Sequence, residues 1–213
     1  MFVSRQRTHG LLAAMSFAAL AAAAFAGEPA ATLDRLSLMS AYLFVLMIGF
    51  VLLVGPVRAV RTGRAMLNHT LRRDVAIWCG IIGLVHLVAG TAESMTPGYM
   101  DVFVVHAVSA PPAAVRETFF LWSTVIGFIV GILVVMLLAL SNNRSLAWLG
   151  QIRWKRLHRL SYFVFGLTIL HGVGFQVLES RGRAGYAALL GMTGIVCIAQ
   201  VLGLLAVRRR SGH

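Results

Sequence analysis

Three histidines lie within or directly beside long apolar stretches of this sequence: His86, His158 and His171. The other four fall in segments that read as terminal or loop regions: His9, His69, His106 and His213. A polar side chain inside an apolar stretch is costly to bury, so such residues are candidates for function. A neutral imidazole binds metals through one ring nitrogen, and two imidazoles can supply both axial ligands of a haem iron. The candidate chemistry is therefore haem or metal binding.

The spacing of these histidines predicts that two of them lie at the same depth. His86 lies thirteen residues after Arg73, and His171 lies thirteen residues after His158. At about 1.5 Å per residue, each imidazole is roughly 20 Å along its helix from a basic boundary. Two helices that run in the same direction would then offer one imidazole each. Such a pair could ligate one iron or form a hydrogen-bonded packing pair, and spacing alone leaves both interpretations open.

The basic boundary itself raises the question of a second site. On one ideal helix His158 would be roughly 140° out of phase with His171, so it need not face the same partner. Arg72 is nearly in phase with His86, and its guanidinium suits a propionate carboxylate better than iron. A second, inner haem would need a further ligand near Arg72, and His69 is the nearby imidazole. A second, inner haem site is therefore left open, but its ligand set is incomplete.

The elements that must position these residues are membrane-spanning helices. The chain is 59% hydrophobic and 12% charged, and its apolar residues occur in long runs. A run of about 20 residues lets a helix cross the hydrocarbon core, where backbone groups must be bonded within the helix. We therefore predict an all-α integral membrane protein, a six-helix transmembrane bundle. The runs cover residues 11–26, 36–54, 75–92, 118–140, 160–178 and 184–207.

The first run has two interpretations. Residues 1–26 combine Arg5 and Arg7 with an alanine-rich stretch and small residues before Gly27. This arrangement is typical of a signal peptide, and equally of a short first membrane helix. If residues 1–26 are cleaved, five helices remain, and the haem-binding domain comprises residues 27–213 in either case.

The charge distribution predicts the orientation. The net charge is +12, and fifteen of the nineteen basic residues fall in segments that share one side when the N-terminus is inside. This bias predicts a multi-pass protein with both termini in the cytoplasm. Because the basic residues separate apolar runs, nucleic acid is not an expected partner. Cys79 and Cys197 are isolated within apolar runs and form neither a disulfide framework nor a metal pair.

Two segments of the sequence resemble the ferric reductase-like transmembrane domain family. Residues 71–86 begin Leu-Arg-Arg-Asp and end Gly-Leu-Val-His, and residues 141–171 contain Trp-Lys-Arg-Leu-His-Arg-Leu. Within that family the likeness is closest to the small haem-binding membrane subunit of the bacterial periplasmic methionine sulfoxide reductase system. It covers residues 36–176. It departs from the family pattern at Gly172-Val173-Gly174, where bulky aromatic residues would be expected.

The resemblance implies b-type haem held by His86 and His171, with His158 as a further ligand position. It also implies an electron-transfer subunit of an oxidoreductase system, embedded in the lipid of the bacterial inner (plasma) membrane. The sequence has no Gly-x-Gly-x-x-Gly or P-loop motif, so a separate flavin reductase or a quinone is the expected electron donor. The expected acceptor is a periplasmic redox protein. The alternatives are a terminal ferric-chelate reductase and a redox-inactive transporter or assembly factor.

Overall fold

The computed structural model describes residues 5–28, 31–62, 69–99, 113–179 and 182–211, and the regular secondary structure of that part is helical. Six spans are long and apolar enough to cross a membrane, with α5 and α6 contributing one span between them. This confirms the predicted all-α six-helix bundle. The helices are α1 (Arg5–Phe25), α2 (Thr32–Thr62), α3 (His69–Ser94), α4 (Ala113–Ala139), α5 (Asn143–His158), α6 (Leu160–Glu179) and α7 (Gly182–Ser211).

The outer surface of the bundle is apolar. On α4 alone, Leu121 is 61% exposed, Trp122 is 62% exposed and Ile132 is 69% exposed. Large exposed apolar surfaces are rare on soluble monomers, whereas lipid solvates them at no cost. The interior is equally apolar, and Leu52, Ile82 and Val164 on three different helices are almost completely buried there. The chain is therefore a multi-pass membrane protein.

Helix α1 is joined to α3 by a buried carboxylate. Asp74 is 1% exposed, and its Oδ1 accepts a hydrogen bond of 3.0 Å from Arg5 Nε. His9 Nε2 lies 3.1 Å from the same oxygen, while His9 Nδ1 accepts from Trp78 Nε1 at 3.1 Å. The sequence placed His9 in a terminal segment, but the structure places it inside α1. The helix extends beyond its apolar run because Arg5 and His9 bond to Asp74.

Removing this support for Asp74 is expected to weaken the bundle. In an Arg5→Gln, His9→Gln variant the buried carboxylate loses its charged partner, which we expect to lower the free energy of unfolding by about 1–3 kcal/mol. The thermal unfolding midpoint in detergent measures the effect. Arg7→Gln is the matched control, because Arg7 is exposed on the same turn. An unchanged midpoint in the double variant would mean that α1 is not docked in the mature protein.

The segment before α6 is helical but is interrupted at one residue. The Asn142 side chain caps α5 by accepting from the Ser145 backbone N–H at 2.8 Å. The helical path is then interrupted at Gly150, whose φ of 69° lies in the left-handed region that favours glycine. His158 is the last residue of α5, whereas His171 lies in α6. The break at Gly150 thus precedes both histidines, and Arg159 between them keeps helical backbone angles.

Candidate functional site

Helices α3 and α6 run in the same direction, and their imidazoles meet. At one end, Arg73 Nε donates to the Ser141 carbonyl at 3.2 Å, and His158 Nε2 lies 3.4 Å from Ser141 Oγ. These contacts bring the beginnings of the two helices to the same place. Further along, the ring centroids of His86 and His171 are 6.0 Å apart, with an interplanar angle of 78°. The structure thus brings together the two histidines that the spacing places at one depth.

Each of these imidazoles is held by a backbone carbonyl from a neighbouring helix. His86 Nδ1 lies 3.0 Å from the Ser37 carbonyl oxygen on α2, and His171 Nδ1 lies 2.8 Å from the Ser123 carbonyl oxygen on α4. A carbonyl oxygen only accepts, so the ring hydrogen must be on Nδ1 in both residues. Nε2 then carries a lone pair. This tautomer and this type of support are what metal-binding histidines almost always show.

Two glycines let α4 approach His171 closely enough for its hydrogen bond to form. A Cβ on Gly127 would lie 2.6 Å from His171 Cε1 and 2.8 Å from His171 Nδ1. A Cβ on Gly174 would overlap the Ser123 hydroxyl. The Gly172-Val173-Gly174 departure from the family pattern therefore has a local reason, since a side chain at position 174 would push Ser123 away.

The two imidazoles line a cavity of about 170 Å³ among α2, α3, α4, α6 and α7. Its walls are largely apolar. Gln176 Nε2 donates to the Tyr42 hydroxyl at 3.1 Å, but Gln176 Oε1 and Thr124 Oγ1 are buried without a hydrogen-bond partner among the described residues. Buried polar atoms are nearly always bonded, so these two are open to a group held in the cavity.

The donor set fits a haem iron. With their ring centroids 6.0 Å apart, His86 and His171 are close enough that their Nε2 atoms could both reach one iron, so these two residues would hold the group. Within the described ranges, no group of three or more His, Cys, Asp or Glu side chains could hold a metal ion. A bare structural ion usually needs four ligands, whereas a porphyrin supplies four nitrogens and leaves two positions to the protein.

His158 and Arg72 lie in a different cavity. The His158 ring stacks on Trp154 with centroids 3.7 Å apart, and its Nδ1 donates to the Trp154 carbonyl at 3.0 Å. Both His158 and Arg72 line this second cavity, and no other described histidine lines it. The side chain of His69 and the whole of His106 lie outside the described residues. The structure therefore separates His158 and Arg72 from the His86–His171 pair.

Sequence reasoning missed three residues of the site: Ser37, Ser123 and Gly127. Ser37 and Ser123 act through their backbone carbonyls, which any residue possesses, so no sequence signal marks them. Gly127 is a small residue of the kind that packs many membrane helices, and its closeness to His171 becomes visible only when α4 and α6 are placed side by side. Gly174 was marked in the sequence, but its contact with Ser123 was not.

Neither a protein-family model nor a solved structure matches this chain. The likeness to ferric reductase-like domains therefore rests on the two sequence segments described above.

Proposed function

We propose that the protein is a b-type cytochrome subunit of the membrane, in which His86 and His171 hold one haem b. The observation that carries this proposal is the 6.0 Å separation of two imidazoles that both have Nδ1 bonded to a carbonyl. Held by both histidines, such a haem would carry single electrons and would not readily bind dioxygen.

The protein residues have separate tasks in this proposal. His86 and His171 supply the ligand nitrogens, and the Ser37 and Ser123 carbonyls fix the ring orientation and raise the basicity of Nε2. Apolar side chains such as Phe128 and Val130 line the same cavity and limit the access of water. Exclusion of water and the fixed ligands both tune the reduction potential of a bound haem.

The proposed orientation in the membrane follows from charge. Arg73, Lys155 and Arg159 line the cavity that contains His158, at the end of the bundle away from the imidazole pair. Under the positive-inside rule this end faces the cytoplasm of a bacterial inner membrane, and both termini lie on that side. A flavin reductase or a quinone would then donate electrons, and a periplasmic acceptor would receive them. Reporter fusions at both termini and in the loop between α3 and α4 test this topology.

Haem content tests the cofactor assignment. We expect the purified intact protein to show a Soret band and one haem per chain, because the described residues give one imidazole pair. His158→Ala is expected to keep that haem, since His158 lies in the other cavity. A pyridine haemochrome assay with a protein determination measures the ratio. Protein that is folded but free of haem after expression with a haem supply would refute the proposal.

The acceptor can be identified with the reduced protein. Ferric chelates and periplasmic redox proteins are offered separately, and reoxidation of the haem is followed by absorbance. We expect rapid reoxidation by a periplasmic protein and slow reoxidation by chelates, because apolar walls surround the imidazoles. The reverse order would favour a terminal ferric-chelate reductase.

A further inference from the structure

The second cavity has a volume of about 680 Å³ and lies between α2, α3, α4 and α6, with α5 contributing to its wall. Phe44 and Val134 line both this cavity and the smaller one at His86 and His171. Two side chains thus divide the interior of the bundle into two chambers. The proposed haem site accounts for one of them only.

One part of this larger chamber carries a strong positive charge. Four cationic side chains line it: Arg72, Arg73, Lys155 and Arg159. None of its described lining residues is acidic. Asp74 is adjacent in sequence, but its carboxylate is bonded to Arg5 and His9 of α1 and does not line the chamber. Lys155 and Arg159 are exposed and Arg72 and Arg73 are half-buried, so this part of the chamber opens to the end of the bundle where the cations collect, and their charge attracts an anion there.

The geometry of these cations suits a phosphate group. Arg73 is held in place by bonds to the Ser141 carbonyl at 3.2 Å and to Asn143 Oδ1 at 2.7 Å. A guanidinium fixed in this way has further N–H groups, and a planar fork of donors matches phosphate oxygens. Lys155 adds a mobile cation, as a long flexible side chain does at many phosphate sites.

The remainder of the chamber is apolar. It is formed by side chains from α2, α3, α4 and α6, namely Phe44, Ile48, Val51, Cys79, Leu137, Leu138 and Val164. Several of these belong to the buried core, and Cys79 and Val164 are respectively 6% and 1% exposed. A ligand that fills the chamber must therefore be anionic at one end and apolar along the rest.

We propose that this chamber binds one acidic phospholipid of the surrounding membrane. Its phosphate would lie among Arg72, Arg73 and Lys155, and an acyl chain would lie against the apolar wall. Basic pockets between membrane helices bind anionic lipid headgroups in this way, with the cations beside the headgroup. The proposal is independent of the haem assigned to His86 and His171, because the two sites share no ligand residue, and it puts a lipid where the sequence left a second haem open, beside His158 and Arg72.

Lipid retention and lipid exchange test the site on the intact protein. The wild type is expected to keep about one phosphatidylglycerol per chain through detergent purification, measured by native mass spectrometry and phosphorus analysis. An Arg72→Gln, Lys155→Gln variant is expected to bind phosphatidylglycerol about 30-fold more weakly, because each change removes one cation from beside the anionic headgroup. Arg208→Gln, Arg209→Gln is the matched control, since these exposed arginines near the end of α7 do not line the chamber.

A second measurement uses the unchanged wild type, so that a folding defect in the variant cannot obscure the result. In nanodiscs of phosphatidylcholine, added phosphatidylglycerol is expected to raise the thermal unfolding midpoint, whereas inorganic phosphate is not. The proposal would be overturned if the protein retained phosphatidylcholine as well as phosphatidylglycerol, or if the Arg208→Gln, Arg209→Gln control lost phosphatidylglycerol binding to the same extent. A rise in the unfolding midpoint with inorganic phosphate alone would also overturn it. So would a second haem or a quinone recovered from the chamber in place of lipid.

Discussion

The His86→Ala, His171→Ala variant is expected to lose the Soret band completely while remaining folded. Each substitution removes a proposed ligand nitrogen that no other described histidine can replace, since His158 lines a different cavity. Each single variant leaves one imidazole, and we expect it to hold haem weakly with one axial position open. Carbon monoxide should then bind to the reduced single variants and not to the reduced wild type. Absorbance spectra with and without the gas measure both effects.

The controls separate ligand loss from a loss of structure. His158→Ala removes an imidazole outside the pair and should retain the wild-type spectrum. Circular dichroism and size-exclusion chromatography show whether each variant keeps its helices and remains monodisperse. A Soret band of wild-type intensity in the folded double variant would contradict the assignment of these ligands. That outcome would leave the proposed lipid site unaffected, because the site is formed by other residues.

Gly127→Ala is expected to change the haem spectrum and weaken haem binding, although alanine normally favours a helix over glycine. The new methyl group would lie 2.6 Å from His171 Cε1, so the ring must move, and its 2.8 Å hydrogen bond to the Ser123 carbonyl must lengthen or break. Loss of such outer support typically costs about 10- to 100-fold in metal affinity. Haem titration gives the affinity, and electron paramagnetic resonance of the ferric protein reports the ligand orientation.

The matched control is Gly166→Ala, because no atom lies within 4 Å of the Cβ that it would add. That variant should have an unchanged spectrum and a free energy of unfolding that is equal or slightly higher, since alanine in a helix is favoured over glycine by roughly 0.5–1 kcal/mol. A shift in the reduction potential of Gly127→Ala alone would show that Gly127 acts through His171. Identical potentials and resonance spectra in both variants would rule out this positioning role.

The membrane class and the helix positions depend on local properties of the sequence. Each run is long enough to span lipid, and the backbone of a lipid-exposed segment has no alternative to a helix. The common depth of His86 and His171 follows from equal distances to Arg73 and His158, because the rise per residue of a helix is fixed. A prediction of this kind needs only the direction of two helices, which the distribution of basic residues supplied.

The interruption of the helix at Gly150, within α5, was not predictable from the apolar pattern. Residues 143–158 contain many charged side chains, and the apolar run begins only afterwards. The left-handed conformation of Gly150 turns the chain before His158, but a glycine in a sequence indicates a turn only weakly. The position of His9 was likewise not predictable from the local sequence, since its partner Asp74 lies 65 residues further along the chain.

By itself, the sequence determined that this protein is a bundle of membrane-spanning helices with two histidines at one depth. Hydrophobic length and helical rise are local quantities, so they can be read along one chain. Only the tertiary structure decided which way those histidines point, which carbonyls hold them, and that His158 and Arg72 share a separate chamber. Those features depend on how each helix is rotated and how closely it approaches its neighbours, and side-chain packing between helices sets both.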